Sequence, residues 1–290
     1  MSRLFLGLPA VAKLNLFLHV VGRRADGYHE LQSLMVPIAL ADTLDLESRD
    51  DGRITRSGDL VGAADQDLCV RAAHLLQQES GSPLGVDIAV KKRIPPGSGM
   101  GGGSSDAATT LLALNRLWRL DWPRQRLAPL ALRLGADVPF FLGAGPAWVE
   151  GIGERLTPLP QPSRWFAVIH PQVHVSTAEI FRAPELTRTT KALRIADFSA
   201  LRDNADAMFS ATSLFGANDL EPVARSRYPA VDSALRHLSR GASARMTGSG
   251  AAVFAVVRDE AAATAALGDL PAEWNGWAVP SLTELPLAAW

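Results

Sequence analysis

Five glycines fall within seven positions: Gly97, Gly99, Gly101, Gly102 and Gly103. They belong to the stretch Pro95-Pro96-Gly97-Ser98-Gly99-Met100-Gly101-Gly102-Gly103-Ser104-Ser105-Asp106. Upstream, Val86 to Val90 alternates and predicts a strand. Downstream, Ala107, Ala108, Leu111, Leu112 and Leu114 share one broad face, and Ala107 to Leu117 predicts a helix. Ser104 or Ser105 suits the N-cap, and Asp106 suits a first turn. A strand that runs through glycines into a helix N-terminus is a cradle for an anion. Glycine permits φ > 0 and close approach of the backbone, and the helix end carries partial positive charge. A flexible linker is the alternative, disfavoured by the strand and helix on either side. Lys92, just upstream, is within reach of a phosphate or a nucleotide. The loop points to a phosphorylated ligand.

The loop alone does not say which one. No lysine follows the glycines, so the common P-loop pattern is absent. Gly97, Gly99 and Gly102 match G-x-G-x-x-G. However, the dinucleotide fingerprint wants an acidic residue about 20 positions on, at the end of the next strand. Here Asp121 precedes Trp122 and Pro123, after a helix. An NAD-binding oxidoreductase stays open but poorly supported.

The chain outside the loop alternates strand and helix patterns. Leu14, Leu16, Leu18 and Val20 alternate with Asn15, Phe17, His19 and Val21. Lys13, Asn15, Phe17 and His19 are therefore expected on one face of a strand. Gly22 to His29 is a polar turn bracketed by glycines. Thr43 to Glu47 predicts a strand, Asp50 to Gly62 a loop, and Asp67 to Glu79 a helix. Gln125 to Leu134 predicts another helix, stopped by Gly135. Trp165 to Ile169 predicts a strand. Ala242 to Val257 predicts two strands joined at Gly248-Ser249-Gly250. The proline cluster Thr157 to Pro162 marks the expected boundary between residues 1–157 and 163–290.

Three polar groups stand out. Asp137 lies beside Val138, Pro139, Phe140 and Phe141, and a carboxylate in apolar company needs a partner or a task. It equally suits the N-cap of a short helix starting at Val138. Lys13 reads by itself as a lysine at a strand start with its stem on apolar surface. Tyr28 and His29, after a glycine, could stack on and hydrogen-bond a flat base, although such pairs are more often surface patches. His74, His170, His174 and His237 lack metal-ligand spacing, and no protein metal ligand is assigned.

Bulk properties narrow the class. Net charge is −1, which gives no electrostatic case for a nucleic-acid partner. The single cysteine, Cys69, cannot form an internal disulfide and reads as core. Arg3 followed by Leu4 to Leu8 only imitates a secretory leader, because Lys13 and Asn15 interrupt it at once. No apolar run reaches the roughly 18 residues of a membrane helix. A cytoplasmic protein without a membrane partner is expected.

Taken together, the motifs resemble a family. Pro95 to Ser105 resembles the ATP motif of the GHMP kinases, which include galactokinase and the homoserine, mevalonate and phosphomevalonate kinases. Met246-Thr247-Gly248-Ser249-Gly250 resembles that family's C-terminal glycine motif. Ala12 to Leu16, Arg24 to Ser33 and Leu134 to Phe141 narrow the resemblance to members whose alcohol substrate carries cytidine diphosphate, in the non-mevalonate route to isoprenoid precursors. The likeness runs from Ala12 to about Phe254 and keeps the order of every motif.

The resemblance implies a two-domain α+β fold, with a ribosomal-protein-S5-like N-terminal domain and a ferredoxin-like C-terminal domain. It implies ATP with Mg²⁺, held by Lys92 and by Pro95, Pro96, Gly97, Ser98, Gly99, Met100, Gly101, Gly102, Gly103, Ser104 and Ser105. Asp137 would be the base for a tertiary hydroxyl, and Lys13 would steady it. Tyr28 and Phe181 would sandwich the cytosine while His29 reads its edge. Asn15 and Thr177 would line the substrate pocket, with Gly248 and Ser249 beside its phosphates. Met35 stands where an aromatic is expected near the cytosine, Ser98 and Met100 where Gly and Leu are frequent, and Asp106 where Asn is. A homoserine or mevalonate kinase of the same family is the alternative. The oligomer is expected to be a monomer or homodimer.

Overall fold

The computed structural model describes residues 3–201 and 208–290. Strand β1, Leu4–Arg23, and strand β2, His29–Arg49, form one long antiparallel hairpin that spans the molecule. One edge of β2 carries β1. The other carries β4, Gly85–Lys91, beside Thr43 to Arg49 and β5, Ala147–Gly151, beside Leu31 to Met35. β3, Ile54–Gly58, pairs in parallel with β4, and β6, Arg155–Pro158, pairs with β5. The expected loop from Asp50 to Gly62 thus contains a strand. Its alternation is too short and too exposed to register as a pattern.

Helices α1, Leu68–Ser80, α2, Gly102–Leu117, α3, Arg124–Leu134, and α4, Val138–Phe141, cover one face of this sheet. Asp67 caps α1 by accepting from the amides of Cys69 and Val70. A second, four-stranded antiparallel sheet packs on the other face. It comprises β7, Trp165–His170, later joined by β10, Ala244–Met246, β11, Val253–Val257, and β12, Asn275–Pro280. Between β7 and β10 lie α5, Thr177–Arg182, α6, Ile195–Leu201, the small strands β8, Phe209–Ser210, and β9, Ser213–Leu214, then α7, Glu221–Arg227, and α8, Pro229–Leu238. Helix α9, Glu260–Ala266, follows β11. The result is four layers. A core of Leu14, Leu34, Trp148, Phe166 and Phe254 lies between the sheets, and a third cluster lies under α8 and α9. The sheets change between Pro158 and Trp165, but the chain after Pro280 recrosses to the first layer. There Leu285 and Leu287 are buried, and the Trp290 ring lies 4.8 Å from that of Phe5.

One departure from period two shapes the centre. In β1, Asn15 pairs with Met35 and Phe17 with Leu34, so Leu16 is an extra residue. This is a β-bulge, and it shifts the later side chains to the opposite face. Lys13 and Asn15 face a cleft, whereas Phe17 sits with Leu14 and Leu16 in the inter-sheet core. His19 contacts Phe17 on that side, at 4.9 Å between rings. The expected common face for Lys13, Asn15, Phe17 and His19 is therefore split at Leu16.

Candidate functional site

The glycine loop is tied to both halves of the molecule. The Lys13 amide donates to the Met100 carbonyl at 2.9 Å, and the Ala252 amide to the Ser98 carbonyl at 2.9 Å. Gly97, Gly99 and Gly101 all have φ near +70°. At Gly99 a Cβ would strike the Thr247 carbonyl oxygen, and at Gly101 it would lie 3.0 Å from the Phe141 ring and 3.2 Å from the Lys13 stem. Only glycine meets both demands there, a left-handed backbone and no side chain. The loop is packed backbone, which removes the linker alternative. The second glycine motif lies against it, and a Cβ on Gly248 would come 2.8 Å from the Gly99 carbonyl oxygen. Asn218 fixes that motif by donating to the carbonyls of Met246 and Gly248.

α2 starts earlier than expected. Gly101 is its N-cap, with no side-chain capping bond, so Ser104, Ser105 and Asp106 lie inside the helix. The left-handed turn at Gly101 does the redirecting that a capping serine would otherwise do. The cleft beside the loop is lined by Lys92, Pro95, Pro96, Gly97, Ser98, Gly99, Gly102, Gly103 and Ser104. The side chains of Met100 and Ser105 are buried away from it. Met100 belongs to the inter-sheet core.

Lys92 is not a free cation. Its Nζ donates to Asp42 at 2.5 Å and to Asp106 at 2.6 Å. Asp42 also accepts from the amides of Arg93 and Ile94, so it anchors the entry to the loop. Burial, opposed by Lys92 and reinforced by Asp42, pushes the Asp106 carboxyl up to about 7. Burial alone would lower the Lys92 pKa, but Asp106 and Asp42 outweigh it and the pKa is raised. Asp106 therefore turns toward a lysine rather than toward phosphates. Asp42 was missed from sequence, although it was detectable. It occupies the apolar phase of Ile38, Leu40, Leu44 and Leu46, all fully buried, and is itself fully buried.

Asp137 and Lys13 meet across the next cleft. Lys13 Nζ lies 3.4 Å from Asp137 Oδ2, with side-chain exposures of 3% and 33%. Asp137 does precede α4, but its side chain makes no capping bond. Its carboxylate is therefore committed to Lys13 and the cleft rather than to the helix. Lys13 Nζ also donates to Asn15 Oδ1 at 2.5 Å. Asn15 Nδ2 donates to Ser33 Oγ at 2.8 Å, and the Asn15 amide donates to Thr247 Oγ1 at 2.9 Å. Ser33 and Thr247, which lie inside motifs visible in the sequence but carried no role of their own there, thus aim the polar pair. A buried ammonium held this way needs its carboxylate partner. Met35, opposite Asn15 in the hairpin, lines this cleft rather than the aromatic one.

The clefts form one trough. Gly97, Gly99, Gly101 and Ser104 border both the loop cleft and the Lys13–Asp137 cleft. Leu31, Ala136, Ile152, Thr177 and Phe181 border both the latter and a third cleft of ≈ 590 Å³ containing Tyr28 and His29. Thr177 Oγ1 is 2.6 Å from Ser249 Oγ at the junction. In the third cleft His29 lies over Phe181, with rings 5.0 Å apart and 27° from parallel. The expected arrangement had Tyr28 facing Phe181 and His29 at the edge of a base. Here His29 itself takes the ring contact, while Tyr28 is 60% exposed.

Residues 67–145 match the GHMP kinases N terminal domain, and residues 191–276 match the GHMP kinases C terminal domain. The chain belongs to the GHMP kinase family. A 4-diphosphocytidyl-2-C-methyl-D-erythritol kinase of Thiobacillus denitrificans is 56% identical over 280 residues, covering 96% of each chain. One of Burkholderia multivorans is 52% identical over 281 residues, covering 97% of this chain and 95% of its own. A crystal structure of 4-(cytidine 5'-diphospho)-2C-methyl-D-erythritol kinase superposes with a TM-score of 0.79 at 36% identity, covering 97% of this chain and 99% of that one. Homoserine kinase from Cytophaga hutchinsonii, at 18% identity and a TM-score of 0.66, shares the fold. GHMP kinases are ATP-dependent kinases acting on small molecules, and this GHMP kinase is α+β as expected. Among the described residues no helix is long and apolar enough to cross a membrane.

Proposed function

We propose that this GHMP kinase transfers the γ-phosphate of ATP to the 2-hydroxyl of 4-diphosphocytidyl-2-C-methyl-D-erythritol. The observation that carries this is the position of the Lys13–Asp137 pair. It sits midway along the trough, between a phosphate cradle and a pocket walled by Tyr28, His29 and Phe181. A substrate with a nucleobase at one end and a hydroxyl at the other fits that spacing. Relatives at 52–56% identity over nearly their whole length carry that name.

ATP phosphates lie along Gly97 to Ser104, against the backbone and the N-terminus of α2. The hydroxyl oxygen forms a bond to the γ-phosphorus while the β–γ bridge breaks and ADP leaves. Asp137 takes the hydroxyl proton, and Lys13 offsets the charge that develops around the two oxygens. Asn15, aligned through Ser33, holds the methylerythritol end. Gly248 and Ser249 border the same space. Mg²⁺ accompanies the ATP and neutralises phosphate charge when bound. The Ser104 hydroxyl borders the phosphate cradle and is the group on this chain that would hold the ion. Lys92, with its charge already shared, acts mainly by holding Asp42 and Asp106 in place behind the loop.

The deciding experiment is ADP release from ATP with 4-diphosphocytidyl-2-C-methyl-D-erythritol, homoserine or mevalonate as acceptor. Turnover with the first and none with the others is expected. Equal or better turnover with homoserine or mevalonate would replace this reading by another kinase of the family.

A further inference from the structure

The third cleft contains a residue that no motif singled out. Arg188 lies in the segment after α5, and all three guanidinium nitrogens are engaged. Nη1 donates to the Leu186 carbonyl at 3.0 Å, and Nη2 donates to the carbonyls of Phe181 at 3.1 Å and Ala183 at 2.6 Å. The remaining Nε donates to His29 Nε2 at 3.1 Å. Three bonds to the chain that ends α5 fix the guanidinium, and the fourth reaches across the cleft to the hairpin turn.

A guanidinium has five N–H donors and no acceptor, and it stays charged. The atom it meets must offer a lone pair. His29 Nε2 is therefore unprotonated, and the single proton of a neutral imidazole is carried by Nδ1. Burial, then Arg188 and Arg23, lower the His29 pKa, which favours the neutral ring. The contact with Phe181 sets the ring plane while Arg188 sets which nitrogen donates.

We infer that Arg188 is a positioning residue for nucleobase recognition: it fixes His29 as the Nδ1–H tautomer, so that His29 offers a donor to an acceptor on the base. This rests on the proposed cytidine-bearing substrate. A cytosine presents two neighbouring acceptors, its unprotonated ring nitrogen and its carbonyl oxygen. A histidine free to choose its tautomer would offer them a donor only part of the time. One locked by Arg188 is organised before the base arrives.

The test compares wild type, Arg188→Met and Arg188→Lys in steady-state kinetics, with nitrogen NMR of labelled histidine to read the His29 tautomer. Arg188→Met should raise KM for the cytidine substrate about tenfold, leave kcat and the KM for ATP within about twofold, and move His29 toward a mixture of tautomers. Lysine can still donate to Nε2, although it cannot replace the three carbonyl bonds. Arg188→Lys should therefore recover the Nδ1–H signature and most of the KM. An unchanged KM or tautomer in Arg188→Met overturns the inference, as does an Arg188→Lys variant as impaired as Arg188→Met, which would make the role structural. If wild type does not turn over the cytidine substrate, the proposed function fails instead, and the NMR comparison still tests the tautomer lock.

Discussion

At the scale of single residues, two carboxylates within one site do different work because of what surrounds them. Asp137 is partly exposed and paired with one buried lysine, which suits a base that must meet a substrate hydroxyl. Asp137→Asn should cut kcat by a factor of about 10²–10⁴ while the protein stays folded, with a lower melting temperature because Lys13 loses its carboxylate, as read by coupled ADP release and thermal unfolding. Near-wild-type turnover would remove Asp137 from the role of base. Lys13→Ala should lower kcat much more than it raises the KM for ATP, and the reverse pattern would make Lys13 a binding group. Asp106 is instead a buried acid behind the loop. Its folded pKa, pushed up to about 7, lies above the ordinary carboxylate range, so the folded protein keeps a proton that the unfolded chain releases. The stability from that proton is complete at acid pH and is lost as pH rises through the folded value. Between about pH 5 and about pH 8, wild type should lose roughly 2–3 kcal/mol more stability than Asp106→Asn, whose amide oxygen still accepts from Lys92. Parallel pH–stability curves for the two proteins would refute the raised pKa.

At the scale of elements, Gly99 joins the two glycine motifs. Gly99→Ala should cost about 1–2 kcal/mol through its left-handed backbone alone. More follows from displacing the Thr247 carbonyl, which would also open the phosphate cradle. The expected outcome is a lower unfolding temperature together with a KM for ATP raised at least tenfold; intact ATP affinity would mean the loop tolerates the shift. The same region explains what a single sequence can disclose. The strand, glycine loop and helix were legible because their patterns are local. So were α1, the hairpin around Gly248 and the existence of a polar strand with Lys13 and Asn15. The bulge at Leu16 was not legible, since a bulge is defined by pairing with Met35 and Leu34, far along the chain. The start of α2 was misplaced because serines signal a cap, whereas here a backbone turn at Gly101 does that work. The bonding of Lys92 and Arg188 was hidden because their partners, Asp42 and His29, lie 50 and 159 positions away. Asp42 could have been noticed as a charge in an apolar phase, but nothing local marked Arg188.

At the scale of the whole molecule, the last ten residues link the far surface to the site. After β12 the chain returns to the first layer, where the Leu282 amide donates to the Pro37 carbonyl and the Leu285 amide to the Ala144 carbonyl. Arg124 donates to the carbonyls of Leu287, Ala288 and Trp290. Leu285 and Leu287 then border a small groove shared with Ser105, Leu112 and Phe141. Phe141 in turn packs against Gly101, at the start of α2. The tail thus supports the glycine loop from behind through one aromatic ring. Removing residues 281–290 exposes the partners of two buried leucines, at about 1.5–3 kcal/mol each, and leaves Arg124 without the carbonyls it binds in this segment. At about 2–4 °C per kcal/mol for a domain of 150–250 residues, a fall in unfolding temperature of about 10 °C is expected. The coupling makes a sharper claim. Leu285→Ala with Leu287→Ala, a milder change, should raise the KM for ATP more than the KM for the second substrate, because Phe141 touches the loop and lies outside the aromatic cleft. Equal effects on both substrates would mean that the tail stabilises the fold as a whole without acting through Phe141 on the phosphate cradle.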